Sequence, residues 1–122
     1  MKILLVDDLQ EIREILNEVL TSFGHKVQMF ESAIHALRAI EDFTSFDLII
    51  SDFQMPKMNG IEFLEKLVSS KQLPPFVLFT STLLEIKESD LLRVKASFQK
   101  YELNELVEFV NQYRPDNFNQ TG

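Results

Sequence analysis

A doubly wound α/β domain, with a five-stranded parallel sheet between two layers of helix, is the fold class this sequence predicts. Three observations carry the prediction. Short apolar runs, Ile3-Leu4-Leu5-Val6, Leu48-Ile49-Ile50-Ser51 and Phe76-Val77-Leu78-Phe79, have the length and make-up of strands buried on both faces. Stretches of helical period separate them, so strand and helix alternate about five times. Carboxylates stand just past two of the runs: Asp7 and Asp8 after the first, Asp52 after the second. Alternating βα units require a parallel sheet with helices on both faces. Five strands then take the flavodoxin-like order 2-1-3-4-5.

The elements follow in order. The first strand is Lys2–Val6. A helix near Leu9–Phe23 carries Leu9, Ile12, Leu16, Val19, Leu20 and Phe23 on one face. Gly24 is placed to cap it in the left-handed region. The second strand is Lys26–Met29. Ser32 caps a helix bearing Ile34, Leu37 and Ile40. The third strand, Leu48–Ser51, leads into a loop over Phe53–Gly60, marked by Pro56, Asn59 and Gly60. A third helix turns Ile61, Leu64, Leu67 and Val68 inward. Pro74-Pro75 precede the fourth strand, Phe76–Thr80. A fourth helix falls within Leu83–Lys95, where periodicity is poor and Glu85, Lys87, Glu88 and Asp90 supply a solvated face. The fifth strand is Ala96–Gln99. A last helix over Glu102–Tyr113 turns Leu103, Leu106, Val107 and Val110 inward and stops at Pro115. The expected organisation is one domain over residues 1–114, then a short, polar and mobile tail over 115–122.

Composition narrows the classes of function. The 122 residues suffice for one core, and 45% are hydrophobic. No apolar run is long enough for a membrane helix, and Met1-Lys2-Ile3 enters a strand with no room for a signal peptide. A cytoplasmic location and no membrane partner are expected. The absence of cysteine excludes disulfides, thiol catalysis and zinc–thiolate sites. A net charge of −7 argues against direct nucleic-acid binding and for a monomer. His25 and His35 read as structural, His25 at the surface and His35 away from the acidic end. The eleven Phe residues read mostly as core.

In the 2-1-3-4-5 order the first and third strands are neighbours at the switch point, where ligands bind beyond the strand ends. Asp7, Asp8 and Asp52 then converge. Three like charges repel unless a cation joins them, and an oxygen-only set suits Mg²⁺ or Mn²⁺. Thr80 ends the fourth strand and Lys100 follows the fifth. Each is ordinary alone. Together they complete a set for phosphoryl chemistry: an acceptor carboxylate, a charge-offsetting cation, and a hydroxyl and an ammonium for phosphoryl oxygens.

These residues resemble the receiver domains of two-component response regulators over about residues 2–113. The matching segments are Leu5-Val6-Asp7-Asp8, Asp52-Phe53-Gln54-Met55-Pro56-Lys57-Met58-Asn59-Gly60, Thr80-Ser81 and Lys100. The resemblance implies that Asp52 is the phosphoacceptor. It implies that Asp7, Asp8, Asp52 and the backbone carbonyl of Gln54 bind the metal, and that Thr80 and Lys100 bind the phosphoryl group and switch. The donor is then a histidine kinase, a phosphotransfer protein or a small acyl phosphate. With no DNA-binding or enzymatic segment following in this sequence, output is expected to run through a downstream protein target. A stand-alone chemotaxis-type receiver and a phosphorelay intermediate both fit, and dimerisation after phosphorylation is left open. The chain departs from the family pattern at Tyr101 (usually Pro), at Ser81 and at Ser97, often aromatic. Either Phe98 or Tyr101 is expected to replace the missing aromatic residue or the fifth strand to respond only weakly, and the Lys100–Tyr101 bond is expected to be trans.

Three other functions compete with this reading. The intact acidic set argues against a phosphorylation-independent, degenerate receiver, and the altered fifth-strand region (Ser97, Phe98, Tyr101) argues for it. A Mg²⁺-dependent phosphohydrolase with an aspartate nucleophile wants Asp-x-Asp after its first strand, where this chain has Asp7-Asp8-Leu9. A nucleotide or flavin binder wants a glycine-rich loop, and the glycines are Gly24, Gly60 and Gly122 alone. The expected role is therefore a phosphoacceptor signalling protein, not an enzyme, though able to assist its own phosphorylation and dephosphorylation.

Overall fold

The computed structural model describes residues 1–115; the tail expected over 115–122 lies, except for Pro115, outside the described residues. Strands β1 (Lys2–Val6), β2 (Lys26–Phe30), β3 (Leu48–Ser51), β4 (Phe76–Thr80) and β5 (Ala96–Gln99) form one sheet. Its order is β2-β1-β3-β4-β5, with every pairing parallel, as the alternation required. The helices are α1 (Gln10–Ser22), α2 (Ala33–Ala39), α3 (Gly60–Ser69), α4 (Glu88–Leu91) and α5 (Leu103–Gln112).

Strand pleating divides the apolar residues between two layers. Leu4, Val6, Ile49, Phe76 and Leu78 face α2 and α3 and pack with Phe63, Leu64 and Leu67. Ile3, Leu5, Leu48, Ile50, Val77 and Phe79 face α1 and α5 and pack with Leu16, Leu20, Leu106 and Val110. The central strands are thus buried on both faces, which explains their unbroken apolar runs. β2 is an edge, with Lys26, Gln28 and Met29 exposed.

Several side chains depart from the expected faces. Leu9 and Phe23 are exposed because they are the flanking residues of α1 and lie outside its helical period. Gly24, at φ 91°, ends α1 as expected: its N–H donates to Thr21 O and the His25 N–H to Leu20 O. In α2 the fully buried residues are Ala33 and Ala36, small enough for close approach, while Ile34, Leu37 and Ile40 are half-buried. In α3, Val68 falls in the last turn and is exposed. Phe63, absent from the expected stripe, is buried edge-on between Phe43 and Phe76. Burial there follows aromatic packing, which a hydrophobic period does not rank.

The expected fourth helix is the largest difference. Over Leu83–Lys95 the chain makes a 3₁₀ turn, Leu83–Glu85, and the four-residue α4. The inward residues are Leu83, Ile86, Leu91 and Val94. Their spacing would suit one helical face, so the break lies in the backbone at Ile86 and Lys87, both extended. Ile86 is extended between the two pieces, at φ −91° and ψ 134°, and buried. Leu84 and Leu92 are left exposed. No helix among the described residues is long and apolar enough to cross a membrane.

Candidate phosphoryl and metal site

Strand geometry places the acidic residues. β1 and β3 run side by side with Val6 opposite Ser51, so the residues after them emerge together. Asp52 continues the ladder by one bond, its N–H donating to Val6 O at 2.9 Å. One carboxylate oxygen from each of Asp7, Asp8 and Asp52 lies within 4.8 Å of the others. Asp7 is 1% and Asp52 6% exposed, whereas Asp8 is exposed at the mouth.

The two buried carboxylates are held in fixed orientations. Asp7 Oδ1 accepts from the Leu9 N–H at 2.9 Å, and Asp52 Oδ1 from the Phe53 N–H at 2.7 Å. Their second oxygens meet Lys100, whose Nζ donates to Asp7 Oδ2 at 2.7 Å and Asp52 Oδ2 at 3.2 Å. Lys100 reaches them from β5, where its N–H donates to Thr80 O. Burial raises the Asp7 carboxyl above its usual range. The Lys100 and Leu9 hydrogen bonds and the Lys100 charge oppose that rise, and the Asp52 charge adds to it. One ammonium faces three carboxylates, so the cluster keeps a negative surplus at its open side, where Asp8 has no hydrogen bond or ion pair among the described residues. An oxygen-rich, under-neutralised mouth fits a hard divalent cation.

The loop from β3 to α3 forms one wall. Gln54, Met55 and Pro56 line an open cleft of about 440 Å³ over Asp8 and Asp52, with Ser81 at its rim. Lys57 has φ 70°, and the Met58 N–H donates to Pro56 O at 2.8 Å, making a γ-turn. Gly60 closes the loop by donating to Phe53 O at 2.7 Å. A Cβ at this glycine would run into the Asp52 carbonyl oxygen. Asn59 then caps α3 in a reciprocal capping box with Glu62.

Asp7, Asp8, Asp52, Gln54, Thr80 and Lys100 all lie at this end of the sheet, but not every one faces the cleft. Thr80 is fully buried, and its hydroxyl is bonded to Thr82. The Lys100–Tyr101 bond is trans, as expected. Phe98 does not replace the missing aromatic residue on the Thr80 side. It lies on the opposite face of the sheet, where it packs on Phe109 at 5.7 Å. Tyr101 is exposed. His35 is not remote from the acidic end: it shares a groove with Asp8, Pro56 and Lys57. His25 is half-buried between the amino terminus and Asn111.

Two contributors were missed. Glu102 Oε1 accepts from the Gln99 N–H at 2.8 Å, and the Glu102 N–H donates to Gln99 O at 2.7 Å. This closes the turn that carries Lys100 without the proline usual after that lysine. Thr82 holds Thr80. The signal for it was the Thr80-Ser81-Thr82 spacing, which lets a hydroxyl accept from the backbone two residues on.

A family model described as the response regulator receiver domain matches residues 3–116. Sporulation initiation phosphotransferase F of Bacillus subtilis is 34% identical over 119 residues, covering 93% of this chain and 94% of its own. Transcriptional regulatory protein CpxR of Escherichia coli is 40% identical over 77 residues, which make up 63% of this chain and 32% of that protein. The chain thus matches about a third of the length of this larger relative. Among solved structures, response regulator protein TrrA from Thermotoga maritima, in complex with Mg(2+)-BeF, superposes with a TM-score of 0.77 at 29% identity. That match covers 91% of this chain and 96% of that one.

Proposed function

The chain belongs to the response regulator receiver domain family, and on that premise we propose that it accepts a phosphoryl group on Asp52 and signals by protein binding or by passing the group on. Its carboxylate cluster is positioned for Mg²⁺-dependent phosphoaspartate chemistry, the basis of signalling by phosphorylation. The observation that carries the proposal is the convergence of Asp7, Asp8 and Asp52 beside the Lys100 ammonium.

Asp52 is the acceptor because it is the one of the three that is both held, by the Phe53 N–H and Lys100, and open to the cleft. In the reaction an Asp52 oxygen bonds to phosphorus while the bond from phosphorus to the donor nitrogen or acyl oxygen breaks, its electron pair leaving with the donor. Asp7, Asp8, Asp52 and the backbone carbonyl of Gln54 would hold Mg²⁺ (or Mn²⁺), which when bound supplies the positive charge that lets a third anion approach two carboxylates. Lys100 turns from the Asp52 carboxylate to a phosphoryl oxygen, and the Thr80 hydroxyl donates to another. The complex of TrrA with Mg(2+)-BeF supports this set of roles.

The donor is a phosphohistidine on a kinase or phosphotransfer protein, or a small acyl phosphate. The similarity to a sporulation phosphotransferase over nearly its full length supports the relay form of the reading. The reading takes the receiver unit as residues 1–114 with 115–122 as a polar tail; the family model matches residues 3–116. The unphosphorylated protein is a monomer with a protein target as its output partner.

The test is direct. With Mg²⁺ and acetyl phosphate, intact mass shows the gain of one phosphoryl group on the native chain and none on Asp52→Asn, whose circular dichroism is unchanged. Equal gain on Asp52→Asn rejects the assignment.

A further inference from the structure

Thr80 is completely buried, and both hydrogen bonds of its hydroxyl go to Thr82. The Thr82 N–H donates to Thr80 Oγ1 at 3.2 Å, and the two hydroxyl oxygens are hydrogen-bonded at 3.1 Å. Ser81 reaches the cleft above the carboxylates, whereas Thr80 is not part of its lining. Any rotation of Thr80 that carries its hydroxyl into the cleft must break its bonds to Thr82. A buried hydroxyl cannot give up its partners to water, so the move is favourable only when a new acceptor is already there. A phosphoryl oxygen is such an acceptor, because a hydrogen bond to an ionised oxygen is about twice as strong as one between neutral groups.

We propose that Thr82 is a positioning residue: its hydroxyl and N–H hold the Thr80 hydroxyl out of the cleft until a phosphoryl group has arrived. The proposal rests on the reading of Thr80 as a phosphoryl-binding residue. It also accounts for how a chain with serine at position 97 reports phosphorylation. Leu78 is opposite Ser97 and Thr80 is opposite Gln99, whereas Phe98 is opposite Phe79, so Thr80's face of the neighbouring strand carries no aromatic residue. Thr82, in contrast, leads directly into the 3₁₀ turn Leu83–Glu85, where the Glu85 N–H donates to Thr82 O at 3.0 Å. That turn belongs to the irregular segment ending at Val94, held by Leu83, Ile86, Leu91 and Val94 alone among its apolar residues. Release of Thr80 is therefore felt first in this segment.

The experiment uses the whole chain and beryllofluoride with saturating Mg²⁺ as the phosphoryl mimic. Thr82→Val keeps the β-branch and removes the hydroxyl. Its affinity for beryllofluoride, read by calorimetric titration, rises about 3- to 10-fold over the native chain, the worth of one neutral hydrogen bond. Thr82→Ser, which restores a hydroxyl, returns to the native affinity. In a Thr80→Val background the Thr82→Val change alters affinity by no more than about twofold, since there is no Thr80 hydroxyl to hold. In the free protein, without metal or mimic, Thr82→Val moves the Thr80 side-chain scalar couplings from a single rotamer towards an average. Unchanged or weaker affinity in Thr82→Val, the same gain in Thr82→Ser, or the same gain without the Thr80 hydroxyl would overturn the proposal. If the native chain does not bind beryllofluoride, the phosphoacceptor reading fails, and the Thr80 couplings in the free protein still decide whether Thr82 holds it.

Discussion

Lys100 lies closer to Asp7 than to Asp52: its Nζ is 2.7 Å from Asp7 Oδ2 and 3.2 Å from Asp52 Oδ2. The ammonium is shared, and its tighter bond is to the carboxylate that is not proposed to react. This leaves Asp52 the less firmly neutralised of the two, and makes Asp7 the residue that stores Lys100 at the site before a phosphoryl group arrives.

Asp7 ties stability to pH. Its carboxyl is raised above the ordinary 3.8, chiefly by burial. Above that pH the unfolded chain gives up this proton before the folded protein does. The stability contributed by the protonated acid is complete below 3.8 and is lost as pH rises through the folded value. Asp7→Asn keeps the bond from the Leu9 N–H and removes this dependence. In chelator, scanning calorimetry should show a smaller decline of the variant relative to the native chain as pH rises above 3.8. At pH 7 its Tm is higher by about 3–6 °C for each kcal/mol relieved. Parallel profiles for the two proteins would contradict this account of Asp7.

Removing Lys100 has the opposite sign. Lys100→Met leaves Asp7 and Asp52 facing each other with no counter-charge, and Asp7 is almost fully buried. Breaking a buried pair from one side costs about 3–5 kcal/mol, less here because Lys100 is partly solvated. Urea denaturation should show the loss in chelator and its partial recovery in Mg²⁺. Phosphorylation by acetyl phosphate should slow by about 10-fold or more, because a stabilising charge on the phosphoryl oxygens is gone. A variant as stable as the native chain in chelator would show that the shared ammonium matters little.

Asp8→Ala separates metal binding from folding. Asp8 is exposed and has no protein partner among the described residues, so its removal costs no contact and relieves repulsion within the cluster. The expected result is weaker Mg²⁺ binding and slower phosphorylation together with a higher Tm in chelator. Calorimetric titration with Mg²⁺ checks the first, and normal affinity there would remove Asp8 from the metal set.

Gly60 has a purely steric role. One of its Cα hydrogens faces the Asp52 carbonyl oxygen, and Phe53 Cα would stand only 3.1 Å from an added Cβ. Both obstacles are backbone and cannot rotate away. Gly60→Ala should therefore displace the β3–α3 loop, costing about 1–3 kcal/mol and lowering the phosphorylation rate with it. A variant with native stability in urea would mean that the loop gives way freely.

The sequence by itself determined the sheet and the acidic end. Ile3–Val6, Leu48–Ile50 and Phe76–Phe79 are apolar without interruption, so they must be central, and the order they imply brings Asp7, Asp8 and Asp52 to one place. Capping by Ser32 and Gly24 was equally legible, because each depends on a single residue and its immediate neighbours. Tertiary structure decided what depends on partners far along the chain. Val68 and Phe63 both belong to α3, and only the rings of Phe43 and Phe76 select Phe63 for burial. Phe98 is adjacent to Ser97, but the pleat sends it to Phe109 on the face away from Thr80. The inward residues Leu83, Ile86, Leu91 and Val94 would suit one helical face, yet extended backbone at Ile86 and Lys87 divides that segment into two short turns. Lys100 could be assigned to the site from its position after a strand. Its preference for Asp7 over Asp52 is a difference of 2.7 against 3.2 Å, set by how β1, β3 and β5 stack, and local sequence carries no record of that distance.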